Sequence, residues 1–299
     1  MMRGWRDVVA GLFQGPGDEV LGMNRRNVEF ILSRNPRQHF AIADDKLLAK
    51  QVLTAAGVPV SPTLLTFSDF FEVGQIAERL AGLETFAIKP ARGHGGIGIL
   101  IVAERDGDTF TTPGGRRLGM DELRKHVADI VFGVFSMDHA DVAIVEPRLI
   151  PAPFFADLSS LGLSDVRVIM CDEIPALAMI RVPTKASDGK ANLHQGALGL
   201  AVRIDDGRIM RAQLKGLEVD RHPDTGAPLV GRTVPGWDDM LAICLKAAAA
   251  LPLKYLGMDL VVDEARGPLV LEINVRPGLE IQNVNRIGLR GRLRTLGVT

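Results

Sequence analysis

The stretch "GMDLVVDEARGPLVLEINVRPGLE", residues 257 to 280, carries two acids and an amide at positions that suit a hard metal ion. With Glu264 to Gly267 as a four-residue hairpin loop, Asp263 faces Pro268 and the register sets Asp259 directly opposite Glu272. Alternation gathers Met258, Leu260, Val262, Leu269, Leu271 and Ile273 on one apolar face, which leaves Asp259, Glu272 and Asn274 clustered at one end of the other. Facing carboxylates cost stability unless a cation compensates them. Oxygen donors of this kind favour Mg²⁺ over Zn²⁺. The competing reading is a solvated hairpin face with its register shifted by one residue. Just beyond, Arg276-Pro277-Gly278 puts a cation on a rigid turn, where it could clamp a transferring phosphate; taken alone it reads as a surface arginine.

A second chemical signal is "FAIKPARGHGGIGILIV", residues 86 to 102, in which Gly93, Gly95 and Gly98 have the spacing of a dinucleotide-binding turn. Such a turn needs a helix after the glycines, whereas here the β-branched run from Ile97 to Val102 predicts a strand. The missing Gly-Lys-Ser/Thr likewise excludes a P-loop. Two readings stay open: a flap whose backbone N–H groups cover phosphate oxygens, with Lys89 and Arg92 at its entrance, or a glycine-rich surface hairpin. Upstream, Leu48, Val52 and Ala55 predict a helix that starts at Lys46 and stops at Gly57 and Pro59. A lysine in a first helical turn calls for an anion, which Asp44 and Asp45 could supply or a ligand could.

The elements that must hold these groups are mostly strands. Runs at 85–89, 97–103, 142–146, 166–171, 176–182, 198–204, 208–215, 256–262 and 268–274 read as β, with helices at 68–82, 120–130 and 238–250. Hairpin turns join many of them, so the fold class is α+β with largely antiparallel sheets. Residues 1 to 40 read as short helices broken by Gly15-Pro16-Gly17 and Asn35-Pro36, and prolines 147, 151 and 153 mark a boundary near 150. The 35 basic and 36 acidic residues leave a net charge of −1, which offers no global field for nucleic acid or an anionic membrane. Cys171 and Cys244 lie in apolar runs and read as reduced core thiols. With no membrane-length apolar run and no signal peptide pattern, a cytoplasmic location is expected.

Together the motifs resemble the ATP-grasp superfamily, and within it the alpha-L-glutamate ligase-like branch, from about Asp44 to Leu289. The resemblance implies two α+β lobes with antiparallel sheets gripping ATP between them: a short helical segment 1–43, a central lobe 44–150 with the flap, and a C-terminal lobe 151–299 with the metal site. "DDKLLAKQVLTAAGVPVSP" is similar to the helix whose lysine reaches ATP and implies Lys46; the flap motif implies Lys89, Gly95 and Gly96. "AIVEPRLI" implies an adenine hinge at Glu146, Pro147, Arg148 and Leu149, and "SDVRVIM" places Asp165 near the ribose. "IRVPTKASDGKANLHQGALG" puts Lys190 and Asn192 where glutamate ligases use an arginine and an asparagine, a substitution that is not equivalent in forked contacts. The last motif matches the family's metal set, Asp259, Glu272 and Asn274, for Mg²⁺ or Mn²⁺.

The resemblance implies ATP-dependent ligation of a small-molecule or peptide carboxylate to an amine, with Lys46, Lys89 and Arg276 stabilising charge in transit and Arg181 joining Lys89 and Arg276 as a candidate catalytic residue. Glutamate is one candidate donor. Arg167 and Arg181 could hold a substrate carboxylate or sit in salt bridges, and His94 and His194 read as ligand contacts or structural groups before they read as bases. Family members usually carry an N-terminal acceptor domain, but only some forty residues precede the first motif. A remodelled acceptor site, a partner protein or a homo-oligomer could supply what is missing. The rival readings are an ATP-binding interaction module and an ATP-grasp phosphotransferase.

Overall fold

The short apolar runs between residues 60 and 150 pair into an antiparallel sheet of four strands. The computed structural model describes residues 19–93, 95–159 and 161–298. The described residues form two compact units, one within Asp44–Gln51 and Val60–Ile150, the other comprising the described residues up to Ala43, Val52–Pro59 and the described residues from Pro151. The division falls inside the Lys46–Ala55 helix.

In the smaller unit the strands are β1 (Leu65–Phe67), β2 (Phe86–Pro90), β3 (Leu100–Val102), β4 (Glu104–Asp106), β5 (Thr109–Thr111), β6 (Arg117–Gly119) and β7 (Ala143–Pro147). The main sheet runs β1-β7-β2-β3, and β4-β5-β6 form a small meander. The Met120–Val131 helix buries Leu123, Val127, Ile130 and Val131, and Glu122 accepts from the Gly119 N–H at 3.1 Å to close its first turn. Those side chains join Phe67, Phe86, Ile88 and Phe110 in one core. Each such burial contributes about 1.5–3 kcal/mol.

The larger unit holds β8 (Asp165–Cys171), β9 (Ile174–Val182), β10 (Leu198–Val202), β11 (Ile209–Leu214), β12 (Leu217–Glu218), β13 (Tyr255–Asp263) and β14 (Gly267–Asn274). They form one antiparallel sheet in the order β12-β11-β10-β9-β8-β13-β14. The Glu280–Asn285 helix packs close on β10, where a Cβ at Gly199 would meet Val284 at 2.6 Å.

The N-terminal segment is tied to this sheet by buried polar groups. Gln282 accepts from the Leu21 and Leu289 N–H groups at 2.8 Å each. Asn35 donates to the Tyr255 carbonyl at 2.7 Å and accepts from the Lys254 and Tyr255 N–H groups at 2.8 and 2.9 Å. Arg26 donates to the Pro277 carbonyl at 2.9 Å.

Several expectations need correction. The 68–82 helix is two, Phe70–Gly74 and Ile76–Arg79, and the strand expected at 97 starts at Leu100 because Gly98 takes φ +78°. The turn Gly15-Pro16-Gly17 and His94 lie outside the described residues. In the β13–β14 hairpin Asp263 faces Gly267, not Pro268, since Gly267 adopts φ +74° and shortens the loop. A bulge between Asp259 and Leu260 then shifts the register by one and restores Asp259 opposite Glu272. Its cost shows in the apolar face: Val261 and Val270 are buried, while Val262 and Leu271 are only half-buried.

Candidate functional site

In the smaller unit the glycine loop joins two antiparallel strands, with Phe86 opposite Val102 and Ile88 opposite Leu100. Gly95 and Gly96 take φ +65° and +76° with open space where a Cβ would stand. The loop's ends are fixed. Arg92 N–H donates to Asp141 Oδ2 at 3.0 Å, a Cβ on Gly93 would strike Pro90 at 2.3 Å, and Gly98 is held against Phe135 with its carbonyl 3.0 Å from His126 Nε2. Asp45 caps the Lys46–Ala55 helix by accepting from Leu47 and Leu48 N–H groups at 2.9 and 3.2 Å. Lys46 Nζ donates to the Gly93 carbonyl at 2.6 Å, at the entrance of the glycine loop.

Lys89, on β2, donates to Glu146 Oε1 on β7 at 2.8 Å, and Lys50 reaches the same oxygen. All three are largely buried. Burial pushes the Glu146 carboxyl up, but the two ammonium groups outweigh it and hold it below its ordinary value. Burial pulls Lys50 down to about 8, with Lys89 repelling it and Glu146 opposing the shift. Lys50 was missed by sequence reasoning, although it stands one helical turn after Lys46 in "DDKLLAK". Pro147 ends β7, and Arg148 and Leu149 follow it as half-buried chain outside any strand or helix.

In the larger unit the charged residues form a row on one face of the sheet. Arg181 on β9 is opposite Asp165 on β8, Arg167 on β8 is opposite Asp259 on β13, and Asp259 is opposite Glu272 on β14. Arg181 grips Asp165 with two bonds of 2.6 and 2.8 Å. Arg167 does the same to Asp259 at 2.7 and 2.6 Å, and Arg181 adds a bond of 2.8 Å to Asp259 Oδ2. Asn274 donates to that oxygen as well, at 3.2 Å. Burial pushes Asp259 up, but the two guanidiniums win and hold it well below the usual carboxylate range. Asp165, also buried, has only one forked partner and feels the Asp259 charge, so it goes up. Arg181, between both acids, is raised despite its burial.

The premise of an uncompensated carboxylate pair is therefore corrected: Asp259 is neutralised by Arg167 and Arg181, which local hairpin register cannot reveal. Both arginines are occupied by salt bridges, so Arg181 does not stand open for a substrate carboxylate. The donor set still fits a hard cation in part. Glu272 is half-buried and makes no hydrogen bond or ion pair among the described residues, and Asn274 keeps its Oδ1 free. Oδ2 of Asp259 is filled, whereas among the described residues Oδ1 accepts only from Arg167 Nε. Asp165, Asp259 and Glu272 against Arg167 and Arg181 leave one negative charge in excess. Among the described residues no three His, Cys, Asp or Glu side chains gather to cage an ion by themselves.

The remaining expected residues lie apart from this row or at its margin. Asn192 accepts from the His194 N–H at 3.0 Å and caps the turn Leu193–Gln195, and Lys190 is exposed on the same loop. Arg276 is exposed, its guanidinium 5.4 Å from the Phe40 ring centroid. Its turn docks on β13 only because position 257 is glycine: a Cβ there would meet Pro277 at 2.6 Å. No described helix is long and apolar enough to cross a membrane.

The sequence matches the family described as sugar-transfer associated ATP-grasp over residues 25–297. A probable alpha-L-glutamate ligase of Mannheimia succiniciproducens is 24% identical over 242 residues, 81% of this chain and 58% of that protein. The chain thus spans little more than half of that relative's length. A ribosomal protein bS6–L-glutamate ligase of Salmonella newport is 24% identical over 276 residues, covering 92% of this chain and 67% of the relative. Among solved structures, the VanG D-Ala:D-Ser ligase of Enterococcus faecalis superposes with a TM-score of 0.50 at 15% identity, over 86% of this chain and 62% of that one. The architecture is the α+β ATP-grasp fold. On the extent of the family match, the chain belongs to the sugar-transfer associated ATP-grasp family.

Proposed function

We propose that the protein is an ATP-dependent carboxylate–amine ligase. In this reading the γ-phosphoryl group of ATP passes to a substrate carboxylate to give an acyl phosphate. The amine nitrogen then bonds to the acyl carbon, the C–O bond to phosphate breaks with its electron pair leaving on phosphate, and the nitrogen loses a proton. The products are an amide, ADP and phosphate.

Lys46 and Lys89 neutralise phosphate oxygens, and the Gly95-Gly96 backbone, free of side chains, covers them and excludes water from a hydrolysable intermediate. The stretch Glu146 to Leu149 carries the adenine edge, with Glu146 holding Lys89 in place. Asp165 is assigned to the ribose side, and Lys190 and Asn192 to the loop over the phosphates. Glu272, Asn274 and Asp259 would hold a divalent cation, Mg²⁺ before Mn²⁺. Such an ion, when bound, neutralises the phosphate oxygens during transfer. Arg181 acts by fixing Asp165 and Asp259 in place.

The observation that carries the reading is Glu272: an acid with no hydrogen bond or ion pair among the described residues, set by register opposite Asp259 on the strand that also carries Asn274, in a family of ATP-grasp proteins. The engagement of Asp259 by two arginines favours one second reading, a nucleotide-binding module with reduced catalysis. Incubation with ATP, Mg²⁺ and pooled amino acids, amino sugars and short peptides separates them. An amide product with stoichiometric ADP supports the ligase; nucleotide binding with no ADP formed from any pool supports the module.

A further inference from the structure

The N-terminal helical segment holds a positive charge that the described chain does not neutralise. Arg26 is 8% exposed and opens the π-helical stretch Arg26–Ile31, a form of helix often kept at functional positions. Its Nε and Nη2 donate to Asn27 Oδ1 at 3.3 and 3.1 Å, and its Nη1 to the Pro277 carbonyl at 2.9 Å. These acceptors are neutral. Part of the guanidinium fork has no acceptor among the described residues, and no carboxylate pairs with it there.

The Arg26 acceptor Pro277 is the chain neighbour of a second arginine. Arg276 precedes Pro277, lies against Phe40 of the same N-terminal segment, and has no carboxylate partner among the described residues. Burial lowers the Arg26 pKa; Tyr255 opposes that, and Arg276 adds to it. The Tyr255 hydroxyl, buried in this neighbourhood, has no hydrogen-bond partner among the described residues. Elsewhere in this unit buried arginines are forked onto carboxylates, as Arg167 and Arg181 are. A buried guanidinium without a counter-ion is costly, and the cation of Arg276, adjacent in the chain to the Pro277 carbonyl that Arg26 bonds, makes it more so. A glutamine would serve the neutral acceptors. Two guanidiniums fit an oxyanion, which takes forked, charge-assisted bonds.

We propose that Arg26 and Arg276 form an oxyanion subsite for a carboxylate or phosphate group carried by one of the ligase's two substrates, apart from the group that reacts. The proposal rests on the ligase reading for what it calls a substrate, but the subsite is testable without turnover.

The full chain is titrated with succinate and, separately, with inorganic phosphate at constant ionic strength, with binding read by calorimetry and by the rise in Tm. At least one anion is expected to bind. Succinate alone points to an acidic substrate, phosphate alone to a phosphorylated one, and either supports the subsite. Arg276→Gln, at an exposed position that leaves the fold intact, should weaken binding roughly ten- to a hundredfold. Arg26→Lys should weaken it less, and Arg203→Gln, a surface control, should not change it. Undiminished affinity in Arg276→Gln, or no binding of either anion, overturns the subsite. So does an equal loss of Mg²⁺–ATP affinity in Arg276→Gln, since the arginine then serves the nucleotide. If wild-type protein binds the anions and not ATP, the ligase reading fails and the subsite stands.

Discussion

Lys50 and Lys89 share a single oxygen of Glu146. One carboxylate cannot fully compensate two buried ammonium groups, and Lys50 bears the deficit, with its pKa pulled to about 8 from 10.5 by burial first. Between these values the unfolded chain binds more protons than the folded one, so stability rises with pH. The gain integrates to roughly 3 kcal/mol. Urea unfolding at several pH values from 7 to 11 should show this rise in wild type relative to Lys50→Met. Parallel curves for the two proteins would remove the claim.

Glu272→Gln should leave the fold intact, because Glu272 makes no hydrogen bond or ion pair among the described residues and acts on Arg181 only through its charge. If it holds the cation, turnover should fall at least about a hundredfold, the loss of several kcal/mol of charge stabilisation. Undiminished ADP release would refute the metal assignment.

Asp259→Asn should behave in the opposite way. It leaves Arg167 and part of Arg181 buried without their counter-charge, which costs roughly 3–5 kcal/mol. Equilibrium unfolding that moves by less than about 1 kcal/mol would show that the arginine bridges do not hold that strand pair together.

Asn35→Leu tests the N-terminal clamp. The substitution strands the Lys254 and Tyr255 N–H groups and the Tyr255 carbonyl in a buried place, where each costs about 1–3 kcal/mol. A drop of at least about 2 kcal/mol is expected in urea unfolding, and wild-type stability would rule the clamp out.

The sequence made the long β elements legible because β8, β9, β13 and β14 are fully or half buried and rich in Val, Ile and Leu. The strand–loop–strand context of the glycine loop was legible for the same reason. What escaped was non-local or short. Three-residue strands such as β4, β5 and β6 are too brief for alternation to register. The position of Asp259 beside Arg167 depends on β8, some ninety residues away in "SDVRVIM", where Asp165 and Arg167 share a face by alternation. Reading that pair together with Asp259 would have shown that the acids of the last hairpin are not left to repel. A four-residue loop and the actual three-residue loop lead to the same facing of Asp259 and Glu272, because the bulge on the β14 side makes up the difference. Arg26 and Asn35 gave no pattern, since each acts through a single distant backbone group or pair.

β14 is the last strand of its sheet, and it pairs on one side only. An open strand of this kind invites another chain to add to it. Here the Val270 N–H is taken by the Pro59 carbonyl at 2.9 Å, and Glu272 places a negative charge farther along the same margin. Substitutions that neutralise Glu272 take a charge off this terminal strand, so such variants should be assayed freshly purified, with light scattering alongside, so that loss of activity is not confused with loss of monodispersity.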